Sequence, residues 1–185
     1  MVEYATYDEA NAPEESKETL AAARKSYGMT PNILGIMAEA PGLLSTYWEG
    51  GKHLTNSSFS KEELSVLLQT SNVENNCEYC VPASTLAARN WKVDEVIINA
   101  MRDETPLPTA RLEALRDFTL SIIRDRGVVD DGKVQAFLDA GFTQRNVLEV
   151  VLGVALKVMS NYTNHLTKIP LDKSWRKAAW QKKSV

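Results

Sequence analysis

The stretch Glu74-Asn75-Asn76-Cys77-Glu78-Tyr79-Cys80-Val81-Pro82-Ala83-Ser84 holds both cysteines of the chain, three positions apart. Asn75 or Asn76 suits a helix N-cap, because an asparagine side-chain oxygen accepts from a free backbone N–H. Cys77 is then expected in the first helical turn, where orphan N–H groups and the helix dipole favour a thiolate. Cys80 follows one turn on. A helix over roughly 77–90 sets Cys77, Cys80, Val81, Ser84 and Ala88 on one face. Pro82 fits only in its first turns, where the missing donor costs little.

Three chemistries are open to such a pair. A Cys-x-x-Cys at a helix start is the arrangement of thiol–disulfide exchange. A structural zinc site needs more ligands than one pair supplies. No second pair exists, and His53 and His165 lie far away in sequence. Two inert buried cysteines are the third reading. The capped position and the spacing favour the redox pair.

The flanks bound the rest. The chain has 185 residues, 44% of them hydrophobic, and a net charge of −3. That fits one domain with a real core. A slightly acidic chain is a poor general binder of nucleic acid. No apolar run reaches bilayer-spanning length. The N-terminal residues lack the basic and apolar regions of a signal peptide, so a cytoplasmic protein is expected. In that compartment a lone cysteine pair is more often catalytic than structural.

The pattern is helical nearly throughout, with no sustained alternation of polar and apolar residues. Residues 1–12 read as an arm, 13–172 as the helical domain and 173–185 as a basic, aromatic tail. Pro13 and Pro41 open helices at their first turn. Gly50-Gly51 is expected to weaken or kink the helix that Pro41 opens. Ser60 with Glu63 is a capping box. Asp94, Thr109, Asp130 or Asp131, and Thr143 cap the later helices. The run from Val147 to Leu156 is apolar almost all round, as in a central helix or a subunit interface. The tail, with Trp175 and Trp180 among lysines and arginines, is expected to dock on its own fold or on a neighbour rather than on a membrane surface.

Asn76-Cys77-Glu78-Tyr79-Cys80-Val81-Pro82-Ala83 resembles the active-site segment of the alkylhydroperoxidase D-like (AhpD-like) branch of the carboxymuconolactone decarboxylase family. The preceding helix, the long apolar helix after Thr143, and Asn161-Tyr162-Thr163-Asn164-His165 leading to Pro170-Leu171-Asp172 carry the likeness further, over roughly residues 30–172. The resemblance implies an all-α fold that oligomerises through long apolar helices as a homotrimer or hexamer. It implies a peroxidase or disulfide reductase working through cysteines, and no metal, haem or flavin. It also implies roles: Cys80 attacks a peroxide, Cys77 resolves the sulfenic acid, and a dithiol donor reduces the disulfide.

The same resemblance exposes two departures. The family's proton relay has a glutamate and a histidine at the positions held here by Ser65 and Ser84. Neither hydroxyl acts as a base near neutral pH. The remaining candidates are Glu63, Glu74, Glu78 and His165, with Tyr47 and Trp48 as pocket-lining aromatics. Two other functions stay in view. One is a lactone-decarboxylating lyase, which does not require a dithiol. The other is a redox-sensing oligomer that kept the fold without the relay.

Overall fold

A computed structural model describes residues 3–183. Met1 and Val2 of the expected arm, and Ser184 and Val185 of the expected tail, lie outside the described residues. The described residues form nine α-helices and one 3-10 helix, with no strand among them. The helices are α1 (Glu14–Tyr27), α2 (Asn32–Met37), α3 (Pro41–Thr55), α4 (Lys61–Glu74), α5 (Cys80–Asn90), α6 (Glu95–Asp103), α7 (Ala110–Arg124), α8 (Asp131–Asp139) and α9 (Gln144–Thr167). The 3-10 helix is Lys173–Ala178.

Local chemistry sets most of the helix starts. Ser60 Oγ accepts from Glu63 N while Glu63 accepts from Ser60 N, closing the capping box of α4. Thr143 and Asn146 do the same for α9. Asp94, Thr109 and Asp130 cap α6, α7 and α8 through their side chains. Pro41 is the first residue of α3.

α4 is the buried axis, packed by α5, α6, α7 and α9. Its apolar side chains Leu64, Val66 and Leu67 join Leu115, Phe118, Phe137 and Val150 in the larger core. Phe137 stacks on Phe118 at 4.4 Å and on Phe142 at 4.2 Å. A second core gathers Leu20, Met37 and Leu44 around Cys77, Tyr79 and Cys80. Tyr47 packs against both.

Gly50-Gly51 does not interrupt α3, which runs unbroken from Pro41 to Thr55. The expected kink fails because packing outweighs propensity. A Cβ on Gly50 would lie 2.7 Å from Leu156 of α9, so the missing side chain lets the two helices close together. Gly153 does the same toward α4, where a Cβ would meet Leu67 at 2.6 Å. These approaches bring α3, α4 and α9 together around the cysteine turn.

α9 is buried along Val150, Gly153, Leu156, Lys157, Ser160 and Asn161. Its other side leaves Leu148, Val151, Tyr162 and Leu166 exposed. The tail docks on its own fold. Arg102 donates to Ala178 O and Ala179 O, both at 3.1 Å, and Trp180 donates to Arg102 O at 2.9 Å.

Candidate active site

The cysteines sit on a tight turn between α4 and α5. Asn76 takes a left-handed φ of 51°, which asparagine tolerates better than most residues, and so reverses the chain after α4. Cys77 N donates to Asn72 O at 2.9 Å. Cys80 N donates to Cys77 Sγ at 3.2 Å, and α5 begins at Cys80. The expected asparagine cap is absent: Tyr79 precedes α5 without a side-chain cap bond, and Cys80 N is met by the Cys77 carbonyl and sulfur. Asn76 is spent on the turn, and the Asn75 side chain donates to Asn161 Oδ1 at 2.9 Å. Cys80, rather than Cys77, occupies the first turn of α5, where the dipole favours a thiolate.

Both thiols are free and buried, Cys77 at 0% and Cys80 at 3% exposure. Their environments pull them apart. Burial pushes the Cys80 thiol up. The hydrogen bond with Cys77, the charge of Lys157, and hydrogen bonds with Asn161 and Ser160 outweigh it and bring Cys80 down to about 7. Cys77 goes the other way, held protonated by its hydrogen bond to Cys80 and then by burial. One thiol is prepared to ionise while the other keeps its proton.

A buried polar layer supports this pair. Asn72 Nδ2 lies 2.8 Å from Ser84 Oγ, 3.2 Å from Cys80 O and 3.2 Å from Gln69 Oε1. Gln69 donates to Thr85 Oγ1 at 3.1 Å and to Val81 O at 3.3 Å. Asn161 Nδ2 donates to Asn72 Oδ1 at 3.0 Å. Lys157, Ser160 and Asn161 share one face of α9 by their spacing. These interlocked amides fix α4, α5 and α9 around the sulfur atoms.

Tyr79, between the cysteines, anchors the turn from the other side. Its hydroxyl donates to Asp172 Oδ2 at 2.5 Å and accepts from Ile33 N at 3.2 Å. Trp175 packs on its ring at 5.4 Å. Burial, then the bond to Asp172, push the Tyr79 phenol well up, so it stays protonated.

The residues named from sequence are not all gathered here. Ser84 is, as the acceptor for Asn72. Ser65 is buried in α4, and its hydroxyl donates to Lys61 O at 2.9 Å. Glu63 is occupied by its capping role and by Arg111 at 2.7 Å. Glu74 pairs with Arg124 at 2.7 Å, and that bond holds its carboxyl low. Glu78 and His165 are exposed and line an open groove of about 920 Å³ with Asn75, Tyr79, Lys168 and Trp180. Tyr47 faces Lys157. Trp48 meets Tyr27 edge-on at 6.0 Å instead. Among the described residues, no three of His, Cys, Asp and Glu converge as a metal site would require.

Lys157, Asn72 and Gln69 escape a reading of the sequence, and Asn161 enters it only within the stretch that carries the resemblance. Lys157 left one signal, a lysine inside the run Val154-Ala155-Leu156-Lys157-Val158-Met159.

No protein-family model matches the sequence, and no curated protein matches it. Solved structures do. An alkylhydroperoxidase AhpD core, an uncharacterised peroxidase-related protein from Ralstonia eutropha JMP134, matches with a TM-score of 0.80 at 17% identity, covering 93% of each chain. A peroxidase-related protein from Silicibacter sp. TM1040 matches with a TM-score of 0.78 at 21% identity, covering 94% of this chain and 95% of that one. The debrominase Bmp8, as a cysteine-to-alanine variant in complex with 2,3,4-tribromopyrrole, matches with a TM-score of 0.79 at 14% identity, covering 96% of both. At these identities the shared property is the fold, and this chain has the all-α AhpD-like fold.

Proposed function

We propose that this chain belongs to the carboxymuconolactone decarboxylase family and is a thiol-dependent oxidoreductase that reduces peroxides in antioxidant defence. The observation that carries the reading is the split between the two thiols. Cys80 is brought down to about 7 beside a Cys77 that keeps its proton. A nucleophilic thiolate next to a protonated resolving thiol is what a two-step peroxide reduction needs.

The steps balance as two electrons. The Cys80 thiolate attacks one peroxide oxygen, the O–O bond breaks, and the alkoxide leaves and takes a proton as the alcohol. Cys77 then attacks the Cys80 sulfenic acid, forming the disulfide and water. A dithiol donor reduces that disulfide by exchange and is itself oxidised to a disulfide. The groove along Asn75, Glu78 and Tyr79 runs beside the cysteine turn and offers the donor an approach. Both sulfurs are buried, so peroxide reaches them by local opening, which favours small or apolar peroxides.

The lyase reading is the weaker one, because lactone chemistry leaves the paired thiols without a task. The fold is also that of a debrominase.

The test is a thiol titration of the native protein before and after a mild peroxide pulse. Joint loss of both thiols, restored by a dithiol, is the expected result. Retention of both under peroxide refutes the function.

A further inference from the structure

Tyr79 lies between the two cysteines and is where the C-terminal segment fastens to them. It is 2% exposed. Its hydroxyl donates to Asp172 Oδ2 at 2.5 Å and accepts from Ile33 N at 3.2 Å, and its ring meets Trp175 at 5.4 Å. Asp172 is itself buried, at 4% exposure. Asn32 N also donates to its two oxygens, at 3.3 Å and 3.4 Å. Burial pushes the Asp172 carboxyl up, and the bonds from Tyr79 and Asn32 work against it. From Lys168 to Trp180 the chain forms a strap. Ile169 belongs to the core that holds Cys77 and Cys80, and Leu171 and Trp175 pack against that core. The far end of the strap is clamped by Arg102 of α6 through Ala178 O and Ala179 O. Its near end is held by Asn32, which also donates to Pro170 O at 3.0 Å, and by one side chain of the cysteine turn.

We propose that Tyr79 is the latch of this strap, and that closing the Cys77–Cys80 disulfide releases it and uncovers the disulfide for the dithiol donor. The reduced turn is built for separate sulfurs, with Cys80 N donating to Cys77 Sγ at 3.2 Å. A disulfide draws the sulfurs to about 2.05 Å and the Cβ atoms to about 3.8 Å. That swings the Cys77 side chain toward its partner and rotates the residues between the cysteines. Tyrosine is a long lever, so a small rotation of its backbone carries the hydroxyl out of hydrogen-bond range. Asp172 is then a buried carboxylate short of a donor, a state that favours its return to water. Ile169, Leu171 and Trp175 move off the cysteine core with it.

The two half-reactions thereby gain different access. The closed, reduced site admits small peroxides. The two thiols give two electrons and two protons to the peroxide, which leaves as alcohol and water. The open, oxidised site admits a larger donor, whose two thiols return two electrons and two protons. The turn then relaxes and the latch re-forms. By linkage, a strap that docks on the dithiol form favours that form, so losing the latch favours the disulfide. The inference rests on the cysteine pair of the proposed function, but it is measured with glutathione disulfide in place of peroxide. Exchange converts the protein dithiol to its disulfide and yields two glutathione thiols.

Trypsin reads the strap at Lys173, Arg176 and Lys177, which are exposed. Cleavage there requires the docked backbone to open locally. The oxidised wild type is expected to be cut at these residues about tenfold faster than the reduced one, and reduction should restore the slow rate. Tyr79→Phe keeps the ring and loses the hydroxyl. It is expected to be cut fast in both states and to shift the glutathione equilibrium about tenfold toward the disulfide. Equal cutting of the two wild-type states overturns the inference, and that comparison needs no variant to fold. An unchanged equilibrium in a folded Tyr79→Phe overturns it too. Redox-dependent cutting in a protein that consumes no peroxide sinks the peroxidase function alone. Peroxide consumption with redox-indifferent cutting sinks the latch alone.

Discussion

Asn161 of α9 donates to Asn72 of α4 at 3.0 Å, with both side chains completely buried. The bond joins the helix that bears Lys157 to the helix that ends in the cysteine turn. Asn72 continues it to Ser84 and the Cys80 carbonyl, and Asn75 closes it on the other side. The position of the cysteine turn relative to α9 is thus set by amides as well as by apolar contact.

Asn161→Leu removes this link at nearly constant volume. The Asn72 oxygen is left buried without a donor, which costs about 1–3 kcal/mol. Cys80 also loses one hydrogen bond to its ionised form, so its thiol should move up. Urea denaturation reads the first effect and the pH profile of alkylation reads the second. A variant as stable as its parent, with the same profile, would show that the amide chain neither holds the helices nor tunes the thiol.

The thiol also couples stability to pH. Cys80 titrates at about 7 in the folded protein, against an ordinary value of 9.0. Between those values the unfolded chain binds more protons, so stability rises with pH across the window. It is fully present above the unfolded value and lost as pH falls through about 7. The gain is on the order of 2 kcal/mol. Lys157 is pushed up, above its ordinary lysine range, so its own effect falls outside this window. Denaturation of the reduced protein at several pH values, against Cys80→Ala, should show a slope that the variant lacks.

How much of this was legible in the sequence follows from the range of the interactions. Ser60 with Glu63, Thr143 and Pro41 act within one helical turn, so residue identity and spacing are enough to place those helix starts. The cysteine pair is equally local. The start of α5 escapes the sequence because asparagine serves both as a cap and as a left-handed residue. Asn76 does the second. Gly50 reads as a helix breaker because its partner, Leu156, lies on a distant helix. The Lys157 charge acts on Cys80 only through the packing of α9 on α4. In sequence it is one lysine in an apolar helix, and nothing local says which way it faces. The fold's helices are short-range facts, and the cation of the site is a long-range one.

The outer face of α9 supports a prediction about assembly. Leu148 is 71% exposed and Leu166 74%, with Val151 and Tyr162 between them along the helix. Covering each leucine is worth about 1.5–3 kcal/mol. We expect a homo-oligomer, trimeric or hexameric, that buries this stripe. Light scattering of the wild type should give a multiple of 20.6 kDa. Leu148→Glu with Leu166→Glu should give the single-chain mass while circular dichroism keeps its helical signal. A wild type that scatters as a monomer at micromolar concentration would remove the stripe as an interface.

Ser84 offers the most direct probe of the missing relay. It lies one turn after Cys80 on α5, and its hydroxyl accepts from Asn72 at 2.8 Å. An imidazole there would keep an acceptor for Asn72 and bring a base that titrates near neutral pH beside the thiol. General-base help is typically worth about a hundredfold or more when a base is lacking, and much less when one is already present. Ser84→His should therefore raise peroxide turnover modestly, with a rate that rises with pH as the imidazole deprotonates. Peroxide consumption with a dithiol reductant, measured from about pH 6 to 9 for the wild type and Ser84→His, checks this. A folded Ser84→His with no gain would mean that a missing base is not what limits turnover.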